Sequence, residues 1–288
     1  MPHEQISLNS DVIESLKEQF AEEQFADNPE PRCPVVLIYD CSTSMWGMDG
    51  DDPKMRELMR GHELLQDELV KDLVARERAE ISYITYGTQV SEPTLFTTPG
   101  EISDIQEAEA DPTKDTTHYK YLNTQPVFTD MVTTSTNQAL LTAIETIEKR
   151  LEKYGSHPHY APMIFLVTDG MATDHNAPAP TGNQTLLEYT INRLKEHIKF
   201  DEKGRPEKGS WVFLPVYIPT GNPNTDADIK KSLSIYPSAP APEAQPLEPG
   251  NILSFFKWIS QSVQNRSNSR TEEALAFPNP STWLMPSM

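Results

Sequence analysis

Val35-Val36-Leu37-Ile38-Tyr39-Asp40-Cys41-Ser42-Thr43-Ser44 is the stretch that decides the fold. Five consecutive apolar residues lead into an aspartate with no polar alternation. A strand exposed on one face alternates, whereas a strand buried on both faces does not, and such strands belong to parallel sheets covered by helices. Met163-Ile164-Phe165-Leu166-Val167 repeats the pattern and ends in Thr168-Asp169-Gly170. Ile81 to Tyr86, stopped at Gly87, and Trp211 to Ile218 read as two further strands. Between the strands lie segments of helical period. Lys54 to Arg78 carries Met55, Leu58, Met59, Leu65, Leu69 and Leu73 near that spacing, and Asn137 to Tyr154, Leu186 to Phe200 and Ile252 to Val263 follow. Strands alternating with helices predict an α/β fold: a doubly wound, mainly parallel central sheet with helices on both faces.

The 288 residues divide around that core. Residues 1–32 form an acidic extension whose Asp11 to Phe25 predicts one amphipathic helix, broken by Asn28-Pro29-Glu30-Pro31. Residues 33–270 are assigned to one domain. Within it, 97–127 has no clear period and is read as a loop or insertion, and Tyr236 to Gly250, rich in Pro and Ala, as a linker. Residues 271–288, with Pro278, Pro280 and Pro286, are read as a tail without regular structure.

The chain has 24 Lys and Arg against 43 Asp and Glu, a net charge of -19. Such a surface repels phosphate backbones and anionic lipid, so neither nucleic acid nor membrane is the expected partner. Cys33 and Cys41 are the only cysteines and flank one strand, too far apart for a disulfide. They read as free thiols of a reducing compartment. The N-terminal segment has no apolar stretch of the secretory kind, and no run approaches a membrane span, so a cytoplasmic location is expected.

The chemistry concentrates at the two strand ends. In open α/β sheets ligands sit beyond the carboxyl ends of the strands, where Asp40 and Asp169 fall. Asp40-Cys41-Ser42-Thr43-Ser44 reads D-x-S-x-S. Short oxygen side chains at i, i+2 and i+4 in a loop can converge on one hard cation such as Mg²⁺. Hydroxyl ligands are neutral and leave the metal electrophilic, while two carboxylates, Asp40 and Asp169, balance a divalent charge. Each piece also has a plainer role: Asp and Ser are common in turns, and Thr134, just before the run Gln138-Ala139-Leu140-Leu141, could cap that helix. His157, His159 and His175 lack zinc-site spacing and an accompanying cysteine pair. No phosphate-binding glycine loop, G-x-S-x-G elbow or kinase signature is present in the sequence.

Taken together, D-x-S-x-S after the first strand, a threonine before a later helix and Asp-Gly after a central strand resemble the metal-ion-dependent adhesion site of the von Willebrand factor A family. The resemblance implies that Ser42, Ser44 and Thr134 ligate the metal directly and that Asp40 and Asp169 act largely through bound water. It also implies Mg²⁺, with Mn²⁺ an alternative. Phe255-Phe256-Lys257-Trp258-Ile259-Ser260-Gln261-Ser262-Val263 is similar to the closing helix of bacterial tellurium-resistance TerY-like proteins, and Asp169-Gly170-Met171-Ala172-Thr173-Asp174 to their D-G-x-P-T-D. Thr43, Thr133 and Ala172 depart from the glycines and proline found there.

The function so implied is a non-catalytic interaction module in which a partner's acidic side chain completes the metal's coordination. The setting is a bacterial or phage stress-response, tellurium-resistance-type or defence system, with a kinase or phosphatase as partner. A subunit of an AAA+ ATPase machine of the chelatase or MoxR type is the alternative. A hydrolase using the same metal would need a general base beside it, and the motif supplies none.

Overall fold

The computed structural model describes residues 29–46, 53–102, 107–108, 119–122, 125–128, 134–202, 206–239, 241 and 243–268. The expected helix at Asp11 to Phe25 and the proline-containing tail lie outside them.

Five parallel strands form the central sheet. They are β1 (Cys33–Asp40), β2 (Ala79–Tyr86), β6 (Met163–Thr168), β7 (Val212–Tyr217) and β8 (Gln245–Pro246), in the spatial order β2-β1-β6-β7-β8. β1 lies inside the sheet and every one of its residues is buried, as its unbroken apolar run requires. Its alternate side chains feed two separate cores. Val35, Leu37 and Tyr39 join one with Phe165 and Val167, whereas Val36 and Ile38 join the other with Ile164 and Leu166.

The first core is roofed by α2 (Pro53–Lys71) and α7 (Ile252–Asn268), through Met55, Leu58, Leu65 and Leu69 on one and Phe255, Phe256, Trp258 and Ile259 on the other. The second is roofed by α4 (Thr136–Tyr154), α5 (Leu186–His197) and α6 (Pro223–Leu233), through Leu140, Ile144, Ile147, Leu194, Ile229 and Leu233. The result is three layers, helix–sheet–helix, and the α/β fold expected from the sequence.

Four local differences have physical causes. The helix expected from Lys54 to Arg78 divides into α2 and α3 (Leu73–Arg78), because the Asp72 side chain accepts from Val74 N and Ala75 N and starts a new helix. The segment read as a linker packs on the sheet: Ala239 bridges Phe213, β8 extends β7, and Tyr236, Ala244 and Leu247 are buried. Its alanines are small enough to let main chain lie against the sheet edge. The region 97–127, read as a loop or insertion, overlaps a separate antiparallel sheet of β3 (Glu107–Ala108), β4 (Tyr119–Leu122) and β5 (Gln125–Phe128). Strands of two to four residues are too short to show a period. α6 carries no strong apolar stripe to announce it in the sequence; Asn222 caps it and Pro223 opens it.

Candidate metal centre

Parallel pairing brings the ends of β1, β2 and β6 to one edge. Asp40 is opposite Tyr86, and Tyr39 is opposite Val167, so Asp40 and Asp169 emerge side by side. The loop after β1 is held at both ends. Cys41 N donates to Tyr86 O at 2.7 Å, and Met45, fully buried, anchors the short helix α1 (Thr43–Trp46) in the first core. Ser42 and Ser44 are thereby fixed at the top of the sheet. The backbone at Thr43 is helical, so the glycine usual in the motif is not needed for conformational freedom here.

Oxygens converge at this point. Ser42 Oγ lies 3.0 Å from Ser44 Oγ, and Ser44 Oγ donates to Asp169 Oδ1 at 2.5 Å. Asp40 is fully buried behind them. Its Oδ1 accepts from Ser42 N at 2.8 Å and its Oδ2 from Thr168 Oγ1 at 2.5 Å. Gly170 sits between Thr134 and Asp40: a methyl in place of its hydrogen would lie 3.4 Å from Thr134 Oγ1 and 3.8 Å from Asp40 Oδ2. The structure thus brings all five residues expected from the sequence into one cluster, with Ser44 exposed and the two carboxylates buried.

Thr134 is placed by two neighbouring loops. Ser135 N donates to Gly87 O at 2.8 Å, and Thr134 N donates to Thr173 Oγ1 at 2.7 Å. Its hydroxyl does not cap α4. That task falls to Asp174, whose carboxylate accepts from Asn137 N at 3.2 Å and Gln138 N at 3.0 Å. The Thr134 hydroxyl makes no hydrogen bond among the described residues.

Three further contributors lie outside the five residues expected at the metal, and of them only Thr173 falls in a quoted motif. Thr168 fixes Asp40 from the adjacent strand, and Thr173 fixes Thr134. Lys54, in the first turn of α2, donates to Asp169 Oδ2 at 2.9 Å and to Ser44 O at 3.3 Å. Only the parallel register and the entry angle of α2 bring these groups to the site.

The electrostatics are those of an anion cluster removed from water. Burial, followed by repulsion from Asp169, pushes the Asp40 carboxyl up to about 7, against the opposing hydrogen bonds from Thr168 and Ser42. A divalent cation would relieve both causes. The donor set fits one: all five groups offer oxygen, the choice of hard cations. The 3.0 Å between the serine hydroxyls also equals the edge, about 3.0 Å, of an octahedron with Mg²⁺–O bonds of about 2.1 Å.

Solved structures of related shape exist. SpaC, a pilus adhesin from Lactobacillus rhamnosus GG, matches with a TM-score of 0.50 at 11% identity, over 83% of this chain and 32% of its own. The fold is that of a von Willebrand factor A domain. The vWF domain of the type V pili tip protein Mfa5 from Porphyromonas gingivalis matches with a TM-score of 0.45 at 12% identity, over 81% of this chain and 95% of its own. Proximal thread matrix protein 1 from the mussel byssus, in a structure with a zinc-occupied MIDAS motif, matches with a TM-score of 0.40 at 14% identity, over 83% and 46%. The chain spans about a third of the length of SpaC and under half of that of the byssus protein. At these identities the likeness concerns the fold. No family model matches the chain, and no curated protein sequence matches it. No helix among the described residues is long and apolar enough to cross a membrane.

Proposed function

We propose that this chain is a protein-interaction module of the von Willebrand factor A family, in which Mg²⁺ or Mn²⁺ is held by Asp40, Ser42, Ser44, Thr134 and Asp169. A carboxylate from a partner protein completes the coordination. The observation that carries this reading is the order of the oxygens from inside to outside. Asp40 has both oxygens engaged by Ser42 N and Thr168, so it supplies charge from behind the ligands. The neutral serine hydroxyls lie in front of it, with Ser44 exposed. A metal held mainly by neutral ligands keeps its appetite for an anion, and an acidic side chain supplies one.

The reading is non-catalytic. Asp174, the nearest further carboxylate in the sequence motif, is engaged by the N-terminus of α4, and the His175 imidazole meets Asn137 Nδ2 at 3.0 Å. The two cysteines are buried and unpaired, which suits a cytoplasmic location. The bacterial stress-response, tellurium-resistance-type setting rests on the closing-helix resemblance. In that helix Phe255, Phe256 and Trp258 are buried, so they serve packing and leave partner choice to the loops around the metal.

The test has two stages. Calorimetric titration of Mg²⁺ or Mn²⁺ into EDTA-treated protein should show one site in the wild type and none in Ser42→Ala or Asp169→Ala, with melting curves confirming that both variants fold. Partner capture should then depend on metal and fail with both variants. A wild type that binds no divalent ion would refute the proposal, as would a partner retained equally in EDTA.

A further inference from the structure

The cluster at the top of the sheet already contains a cation. Lys54 Nζ is 2.9 Å from Asp169 Oδ2 and 3.3 Å from Ser44 O, and thus touches two of the five residues assigned to the metal. The contact is built into the fold. Lys54 stands in the first turn of α2, and the next residues of that helix to face inward, Met55 and Leu58, are fully buried. The Asp169 side chain is wholly buried and that of Lys54 is 15% exposed, so the pair meets at the boundary between protein and solvent. The remaining oxygen of Asp169 accepts from Ser44. One carboxylate therefore has one oxygen on the ammonium and the other on a serine assigned to the metal.

Resting on the metal-binding reading above, we propose that Lys54 is a resident counter-cation of the site. Without metal its ammonium holds the Asp169 side chain in place; when a divalent ion arrives it must give up Asp169, so this lysine sets the metal concentration at which the docking face forms. Two carboxylates facing a divalent ion are balanced, whereas the same carboxylates facing a divalent ion and an ammonium are not. At this depth the repulsion between the two cations is weakly screened. Lysine suits the role because its charge rides on a flexible four-carbon stem that can turn outward, and an ammonium is readily hydrated. Metal binding then includes breaking a partly buried ion pair, which lowers affinity without altering any ligand.

Calorimetric titration of Mn²⁺ into EDTA-treated wild type, Lys54→Met, Lys54→Gln and Lys54→Arg tests this, with Ser42→Ala as the variant that should not bind. Lys54→Met and Lys54→Gln should bind Mn²⁺ at least about tenfold more tightly, a factor smaller than the Coulomb energy of a desolvated pair would give. Lys54→Arg, which keeps the charge, should stay close to wild type. Without metal the two neutral variants should melt below wild type, and saturating Mn²⁺ should raise their melting temperature more. Unchanged or weaker Mn²⁺ binding by both neutral variants overturns the proposal and leaves the metal site standing. Absence of Mn²⁺ binding from wild type and all variants removes the metal reading itself. The measurement reads affinity directly and needs no partner.

Discussion

The packing of α2 on α7 makes a prediction whose sign depends on the background in which it is measured. Gly61 lies in the middle of α2, directly against Phe256 of α7. A methyl group at position 61 would sit 2.2 Å from Phe256 Cδ2, 2.5 Å from Cε2 and 2.9 Å from Cγ. The ring cannot retreat, because it is fully buried, with Tyr39 and Phe255 at centroid distances of 6.1 and 5.8 Å. Gly61→Ala gains about 1 kcal/mol of helix propensity. It also inserts a methyl where no space exists, which costs about 1–3 kcal/mol, and contacts this short argue for the upper end. The net expectation is a loss of roughly 2 kcal/mol. Phe256→Ala alone should cost about 3–5 kcal/mol through the lost ring and the cavity left behind. In the Phe256→Ala background the clash is gone, so Gly61→Ala should now stabilise by about 1 kcal/mol. The two substitutions are therefore coupled by roughly 3 kcal/mol, read from urea denaturation of all four proteins in EDTA. A Gly61→Ala protein as stable as wild type, or additive effects in the double variant, would refute this account of the α2–α7 contact. The contact matters to the site because α2 carries Lys54 in its first turn.

Three further outcomes are expected. Glu80 is buried with Arg150 Nε at 2.8 Å, Arg32 Nε at 3.6 Å and the Tyr154 hydroxyl at 2.5 Å; Glu80→Ala removes the buried carboxylate facing two guanidinium groups and should cost about 3–5 kcal/mol in denaturant melts while leaving Mn²⁺ affinity unchanged. Asp174→Ala removes the acceptor for Asn137 N and Gln138 N; it should cost about 1 kcal/mol of stability and, by loosening the Thr134 segment, weaken Mn²⁺ binding. Asp40 titrates near 7 in the folded, metal-free protein, above the ordinary 3.8, so the folded state binds the proton more tightly than the unfolded one. Its stabilising effect is complete below the unfolded value and fades as pH rises from about 4 to about 7. Wild type in EDTA should accordingly lose stability relative to Asp40→Asn across that window, and saturating Mg²⁺ should abolish the loss; a flat difference between the two proteins would count against buried repulsion at Asp40.

The parts of the molecule legible in the sequence share one property: their signal is local. Val35 to Tyr39 and Met163 to Val167 declare burial on both faces through five adjacent side chains, and α4 and α7 through a stripe repeated over several turns. The D-x-S-x-S loop shows itself because its three oxygens come from one pentapeptide. Asp169 is legible as a second carboxylate at a strand end, whereas Thr134 is legible only through the family resemblance, since by itself it reads as a helix cap. β8 is two residues long, Asp72 divides a helix inside an apparently continuous stripe, and the Pro- and Ala-rich segment packs without any period.

Lys54 marks the limit of local reading. Its role depends on a partner 115 positions away, and its own neighbourhood announces only the start of a helix. The same holds for Thr168 on Asp40, 128 positions apart and joined across neighbouring strands. A motif therefore names the groups that can touch a ligand. The groups that decide how tightly the ligand is held are supplied by the sheet register and the entry angle of α2. For this site, affinity is a property of the fold and ligand identity a property of the motif, so a substitution at Lys54 should change affinity while leaving every motif residue in place.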